Sequence, residues 1–193
     1  MFRREQGLLH NYVTSIVEAQ DGSIWFGAAY GVSRYDGVNW THYTEGNGLP
    51  GALVTLLMVD RKGRLWAASG DGFRGFRQGW LAYFEDGRWL PVILEGDRRN
   101  TLVGVLFELD GTVAIGTRGG GLFLEGEDGR LSRLGTDEGL NSNDVEAAAI
   151  LPDGSALAIL GLRGPRITAH SPSRWDPDGT WSSRAAQTLP VSM

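Results

Sequence analysis

The sequence predicts an all-β protein, a β-propeller of four-stranded antiparallel blades with about four blades encoded. Two observations lead to this prediction. Eight glycine turns alternate between two kinds along the chain, and seven of the eight read Asp-Gly, which favours tight hairpins. Each kind recurs every 40–50 residues or so, the period of propeller blades. Short apolar and aromatic runs of four to seven residues separate the turns, as strands require.

The first unit shows the pattern most completely. Asp21-Gly22 joins its first two predicted strands, a turn at Gly31 joins the next two, and Asp36-Gly37 joins the last two. The expected strands lie near Val13–Ala19, Ser23–Ala28, Val32–Tyr35 and Trp40–Tyr43.

The later units repeat this order with departures. The second carries an insertion around Gln78-Gly79-Trp80, and the fourth changes composition after Arg163, although Trp181 still marks an outer strand. Residues 1–6 are interpreted as the end of a preceding blade, and residues 163–193 as the degenerate end of the fourth. The predicted blades are 7–47, 48–99, 100–138 and 139–162 onward.

Composition excludes several classes of function. The 193 residues carry a net charge of −5 with no basic block, so we expect no nucleic acid partner and no membrane contact by this chain. The absence of cysteine excludes disulfides and thiolate chemistry. Neither a signal peptide nor an apolar run long enough to span a membrane is found in the sequence.

Three motifs in the first unit resemble the two-component-regulator propeller repeat, found in the sensor regions of bacterial hybrid histidine kinases and related receptors. They are Gly-Leu-Leu-His-Asn-Tyr-Val, Asp-Gly-Ser-Ile-Trp-Phe-Gly and Tyr-Gly-Val-Ser-Arg-Tyr-Asp-Gly. The resemblance covers roughly residues 5–161 and weakens in the later units. The second unit has Trp66 at the position of Trp25, whereas the third and fourth units have no tryptophan there. The resemblance implies part of a seven-bladed propeller in the periplasm or outside the cell, recognising glycans or other small ligands.

The sequence offers no catalytic motif, and we predict no catalytic residues, no metal site and no cofactor. The Asp-Gly turns are interpreted as structural rather than as calcium loops or paired catalytic carboxylates, because every unit has both. The segment from Asp60 to Trp66 resembles the Asp-box of sialidases, which is itself a structural turn. Trp25 and Trp66 are predicted to lie in the core between blades.

Topology indicates where a ligand would bind. In an up-and-down blade all the Asp-Gly turns share one end, whereas the second-to-third turns and the links between units share the other. The residues at that second end differ between units, as in a binding scaffold. The candidate ligand-face residues are Tyr30, Asp71 and Arg118 in the turns, with His10, Asn11, Asn141 and Asn143 in the links.

The sequence therefore predicts a non-catalytic ligand-recognition or interaction module. Two alternatives remain: a propeller enzyme of lyase or glycoside hydrolase type acting at the same end, and a truncated product without independent function. The expected partners are a small-molecule or glycan ligand, together with missing propeller blades or further copies of the chain. Closure of four blades on themselves is the less favoured arrangement, because the resembled family closes with seven. An open arc of four blades would expose apolar flanks and is expected to associate with further copies.

Overall fold

The computed structural model describes residues 3–70, 79–94, 102–109, 111–126, 128–140, 142–150, 156–160, 173–175 and 181–183. Short 3-10 helices occupy Arg4–Gln6, Glu45–Asn47 and Thr136–Glu138. The first sheet consists of β1 (Val13–Glu18), β2 (Ile24–Ala28), β3 (Gly31–Tyr35) and β4 (Trp40–Tyr43). The second consists of β5 (Leu56–Val59), β6 (Leu65–Ser69), β7 (Trp80–Glu85) and β8 (Arg88–Pro91). The third consists of β9 (Val103–Leu109), β10 (Thr112–Thr117), β11 (Gly121–Glu125) and β12 (Leu131–Leu134). The fourth consists of β13 (Val145–Ile150), β14 (Ala156–Leu160), β15 (Ser173–Trp175) and β16 (Trp181–Ser183).

Each sheet is an antiparallel meander in which strands pair in chain order. The first strands of successive sheets adjoin one another, β1 with β5, β5 with β9 and β9 with β13. This stacking of four-stranded sheets through their innermost strands is the arrangement of propeller blades. The predicted fold class is confirmed, and the four strands of the first blade lie within one residue of their predicted bounds.

One contact between blades repeats along the chain. Val54, Val103 and Val145, each at or just before the start of an inner strand, are completely buried. Val54 packs against Gly27, where an added Cβ would lie 2.8 Å from a Val54 methyl, and Val145 packs against Gly116, where it would lie 2.6 Å from a Val145 methyl. Glycine in the second strand of one blade therefore lets the next blade approach closely.

Aromatic side chains hold the first blade to the second. Trp25 of β2 is buried in a cluster with Val32, Leu57, Leu65 and other residues of both blades. Its ring stacks on Tyr43 at 5.5 Å and meets Phe84 and Trp89 edge to face at 5.0 and 6.3 Å. Offset and edge-to-face ring pairs of this kind add to the stabilisation from apolar burial. Trp25 thus lies between blades, as the sequence predicts.

The joint between the second and third blades is partly ionic. Arg64 donates through both terminal guanidinium nitrogens to the carboxylate of Glu125, at 2.7 and 2.5 Å, and through Nε to Asp60 at 2.7 Å. Its guanidinium lies over the ring of Trp66 at 4.9 Å, and Trp66 Nε1 donates to Asp60. Both carboxylate side chains are almost fully buried. Trp66 is therefore core, and Asp60 is the structural centre of its turn.

This network makes the free energy of unfolding depend on pH in the acidic range. Burial favours the protonated form of Asp60, but hydrogen bonds from Trp66 and Arg64 outweigh it and hold the pKa of that carboxyl below its usual value. The stabilisation is then fully present above the unfolded pKa, near pH 4, and is lost as pH falls through the lower folded pKa.

We expect urea unfolding to show a decline in the free energy of unfolding from about pH 4 downward. Asp60→Asn should be less stable at pH 7 and should decline less steeply over the same acidic range. Parallel curves for the two proteins across that range would show that Asp60 does not carry the dependence.

Candidate functional site

The strands divide the surface of each blade into two ends. The turn end contains the Asp-Gly turns, including those at Gly22, Gly37 and Gly129. The link end contains the β2–β3 turn, the β10–β11 turn and the links at residues 7–12 and 135–144. Gly111 and Arg118 flank opposite ends of β10, so the topology behind the site prediction holds for the third blade.

His10 and Tyr30 meet at the link end of the first blade. Their rings pack edge to face with centroids 5.0 Å apart, and Tyr30 is 58% exposed. The His10 Nδ1 accepts the backbone N–H of Tyr12 at 3.0 Å, which fixes the imidazole against the link. Tyr12 is also exposed. This end of the blade therefore presents fixed, solvent-facing aromatic rings, a surface on which a ligand with a flat apolar face could stack.

Arg118 lies in a second group, where the third blade meets the fourth. Its backbone N–H donates to Leu102, and the residue forms an isolated antiparallel bridge with Asp144. The backbone N–H groups of Gly119 and Gly121 both donate to the carbonyl of Asn143, at 3.1 and 2.8 Å. The β10–β11 turn is therefore bound to the link that leads into the fourth blade.

Asn11 and Asn143 have a structural partner in addition to their predicted place on the ligand face. The Asn11 Oδ1 accepts the backbone N–H of Arg4 at 2.7 Å, and the Asn143 Oδ1 accepts that of Thr136 at 2.9 Å. Each bond spans seven residues and closes the loop around a 3-10 helix. Both asparagines follow a Gly-Leu pair at the same distance, and this spacing in the sequence indicates the shared role.

The predicted site residues thus form two groups, His10 with Tyr30 and Arg118 with Asn143, in different blades. Asp71 and Asn141 lie outside the described residues. Tyr12 belongs to the first group and Asp144 to the second, and neither was predicted from the sequence. Tyr12 and Asp144 occupy equivalent positions, each directly before a valine at the start of an inner strand. The second blade has Leu53 at this position. The difference between units at this position could have identified both residues from the sequence.

At the turn end, the carboxylates are engaged with their own backbone. Asp36 accepts the N–H groups of Asn39 and Val38, and these bonds lower its pKa. Asp21 accepts the hydroxyl and N–H of Ser23 and pairs with Arg34, which lowers its pKa in the same way. Side chains that bond the backbone two residues on are typical of Asx turns. Among the described residues, no three His, Asp or Glu side chains are placed to hold a metal ion.

The fold is that of consecutive β-propeller blades. Residues 7–30 match the sequence model of the family described as two component regulator propeller, which confirms the resemblance seen in the motifs of the first unit. A comparison with curated protein sequences finds no significant match. Within the part of the chain that the structure describes, no helix has the length and hydropathy needed to cross a membrane.

Solved structures share the fold. The extracellular domain of a putative hybrid two-component system from B. thetaiotaomicron matches 96% of this chain at 18% identity with a TM-score of 0.65. A second such domain from the same organism matches 94% with a TM-score of 0.67. In both cases this chain spans 23% of the other chain's length. A putative gluconolactonase matches 90% of this chain at 14% identity with a TM-score of 0.54, over 63% of its own length.

Proposed function

We propose that the chain is a ligand-recognition module of a sensor propeller that works in the periplasm or outside the cell, and that the ligand binds at the link end. The proposal rests on the propeller repeat at residues 7–30 and on the exposed His10–Tyr30 pair beside it. The B. thetaiotaomicron proteins with this fold are extracellular domains of putative two-component systems, which supports both the role and the location.

The geometry favours a ligand with at least one flat apolar face, such as a sugar ring. Tyr30 is exposed and its orientation is limited by His10, so little conformational entropy is lost when a ligand stacks on it. The carboxylates of Asp21 and Asp36 at the opposite end are already bonded to their own turns. The exposed aromatic pair at the link end therefore favours that end as the binding surface.

Binding of a panel of soluble oligosaccharides, measured by calorimetry, tests this assignment. Tyr30→Ala should weaken the binding of a recognised sugar about ten-fold, the effect of losing roughly 1.4 kcal/mol of ring contact. His10→Ala should weaken it less, because it only frees Tyr30 to move. Val38→Ala removes a side chain that is 82% exposed at the turn end and serves as the control. Equal affinity in all three variants would contradict binding at the link end.

A propeller enzyme is the second candidate, since one protein of similar fold is a putative gluconolactonase. An enzyme needs convergent acid and base groups, and the predicted ionisable candidates at the link end are His10, Asp71 and Arg118. Turnover of a lactone or glycan by the chain, lost in Asp71→Asn, would favour the enzyme over the sensor.

Replacing Asp71 and Arg118 together should weaken ligand binding without abolishing folding.

A further inference from the structure

The link end of the third blade contains an arginine that is not among the predicted site residues. Arg133 lies in the outer strand β12 and pairs with Phe123 of β11. At the equivalent position of the first blade, the His42 Nδ1 lies 3.2 Å from the hydroxyl oxygen of its strand partner Ser33. Phe123 has no polar side-chain atom to offer, so the Arg133 side chain bonds to the turn between β10 and β11 instead.

The guanidinium of Arg133 is held through one of its three nitrogens. Its Nε donates to the carbonyl oxygen of Gly120 at 2.7 Å. A Cβ added at Gly135 would lie 2.7 Å from Nη2 and 2.9 Å from Cζ, so the guanidinium lies directly against that glycine. Arg133 is exposed, and neither terminal nitrogen has a hydrogen-bond or ion-pair partner among the described residues. The guanidinium therefore keeps two donor nitrogens available in a fixed position.

Two further donors lie beside this guanidinium. The Cβ added at Gly135 would also lie 2.9 Å from Oδ1 of Asn143, so the Asn143 amide and the guanidinium contact the same glycine. The Asn143 Oδ1 accepts the backbone N–H of Thr136, which leaves Nδ2, a donor, without a partner in the described part of the chain. The backbone N–H of Gly120 has no partner there either.

We propose that Arg133, Asn143 and Gly120 form a binding site for an oxyanion, namely a carboxylate, sulfate or phosphate group of a ligand. We call these three residues the Arg133 subsite. Their donors are available, whereas the Gly120 carbonyl and the Asn143 Oδ1 are already occupied as acceptors. The two terminal nitrogens of the guanidinium match two oxygens of one such group.

The Arg133 subsite goes beyond the stacking site proposed for a sugar. It lies in the third blade, whereas His10 and Tyr30 belong to the first, and it takes a charged group instead of an apolar face. Each site can therefore be tested without the other.

Acidic residues of the same link limit the affinity of the subsite. Glu138 already accepts a backbone N–H through Oε2, and no ion pair joins it to Arg133, although both belong to the described part of the chain. Asp144 lies opposite Arg118 in a backbone bridge, so their formal charges offset each other. Asp137 is exposed, and salt screens its charge. We therefore expect a simple anion to bind with a dissociation constant in the millimolar range.

The test titrates the isotope-labelled full chain with sodium sulfate, phosphate or acetate at constant ionic strength. NMR follows the Nε–Hε signal of Arg133 and the amide signals of the β10–β11 turn. We expect these signals to shift and saturate with at least one anion. Saturation by acetate alone would identify a carboxylate as the ligand group, and saturation by sulfate or phosphate would identify a tetrahedral oxyanion.

Variants separate paired donors from charge alone. Arg133→Gln should abolish saturation, and Arg133→Lys should weaken binding about ten-fold, because lysine keeps the charge without the paired donors. Glu138→Gln keeps an acceptor for its backbone partner and removes a negative charge, so it should tighten binding. Arg130→Gln removes an arginine from the turn end of the same blade and serves as the matched control.

Two results would overturn the proposal. One is a linear shift without saturation for all three anions, which would indicate screening by salt only. The other is the same dissociation constant in Arg133→Gln and Arg130→Gln. Arg133 is exposed, so its replacement should leave the fold intact, and the dispersed amide spectrum of each variant verifies this. Tyr30→Ala should bind the anions as the unchanged chain does, which keeps this test independent of the sugar assignment.

Discussion

Replacing Glu125 by alanine is expected to lower the free energy of unfolding by about 3–5 kcal/mol, the usual cost of leaving one partner of a buried ion pair without the other. Arg64 makes two of its three side-chain bonds to this carboxylate, and Glu125 also lies 3.7 Å from Lys62 Nζ. The Glu125 hydrogen bonds raise the pKa of the Arg64 guanidinium above its usual value in the intact protein. In the variant Arg64 remains charged even without them, because arginine does not lose its proton at neutral pH. Urea unfolding at pH 7 measures the loss.

The chain supplies a matched control for this substitution. Arg130 and Asp128 form an ion pair at 3.7 Å with both side chains largely exposed. Asp128→Ala should cost less than about 1 kcal/mol, because water already solvates both groups. A Glu125→Ala protein as stable as Asp128→Ala would show that the pair does not hold the second and third blades together.

Gly31→Ala should be similarly damaging, at about 2–5 kcal/mol from backbone strain and overpacking together. Gly31 has φ +139°, and a Cβ added there would collide with the carbonyl oxygen of Tyr43 in the neighbouring strand. A backbone atom in a sheet cannot move aside as a side chain can. Thermal unfolding of the variant measures the effect.

Gly22→Ala separates the two contributions to this cost. Gly22 also has a positive φ, +78°, but a Cβ there meets nothing within 4 Å. Its substitution should cost only the strain of the left-handed conformation, about 1–2 kcal/mol. If the two alanine variants unfolded at the same temperature, the contact with Tyr43 would not be the reason for glycine at position 31.

The sequence was most informative where structure is decided locally. Asp21-Gly22 and Asp36-Gly37 specify hairpins through the residues of the turn itself, so the strands around them could be predicted closely. The link end was also predictable, because it follows from strand order alone. The meeting of His10 with Tyr30 was not, since two residues assigned to one end can still lie apart.

Contacts between blades escaped prediction for a related reason. Arg64 and Glu125 are separated by 61 residues and meet only because the second and third sheets stack in one particular register. Neither residue stands out from other charged residues in the sequence. The structural role of Asn11 was missed because the 3-10 helix must form before the Arg4 N–H is placed to donate to its side chain.

The joint between the first and second blades is aromatic, whereas the joint between the second and third also contains an ion pair. This difference affects how the two joints respond to changes in pH and temperature. Acid protonates carboxylates and should weaken the joint between the second and third blades while leaving the aromatic contacts around Trp25 in place. Cooling weakens apolar association and should act on both joints, because the second and third blades also share a buried apolar cluster that includes Trp66, Val113 and Phe123. Acid therefore distinguishes the joint between the second and third blades from the joint between the first and second, whereas cooling does not.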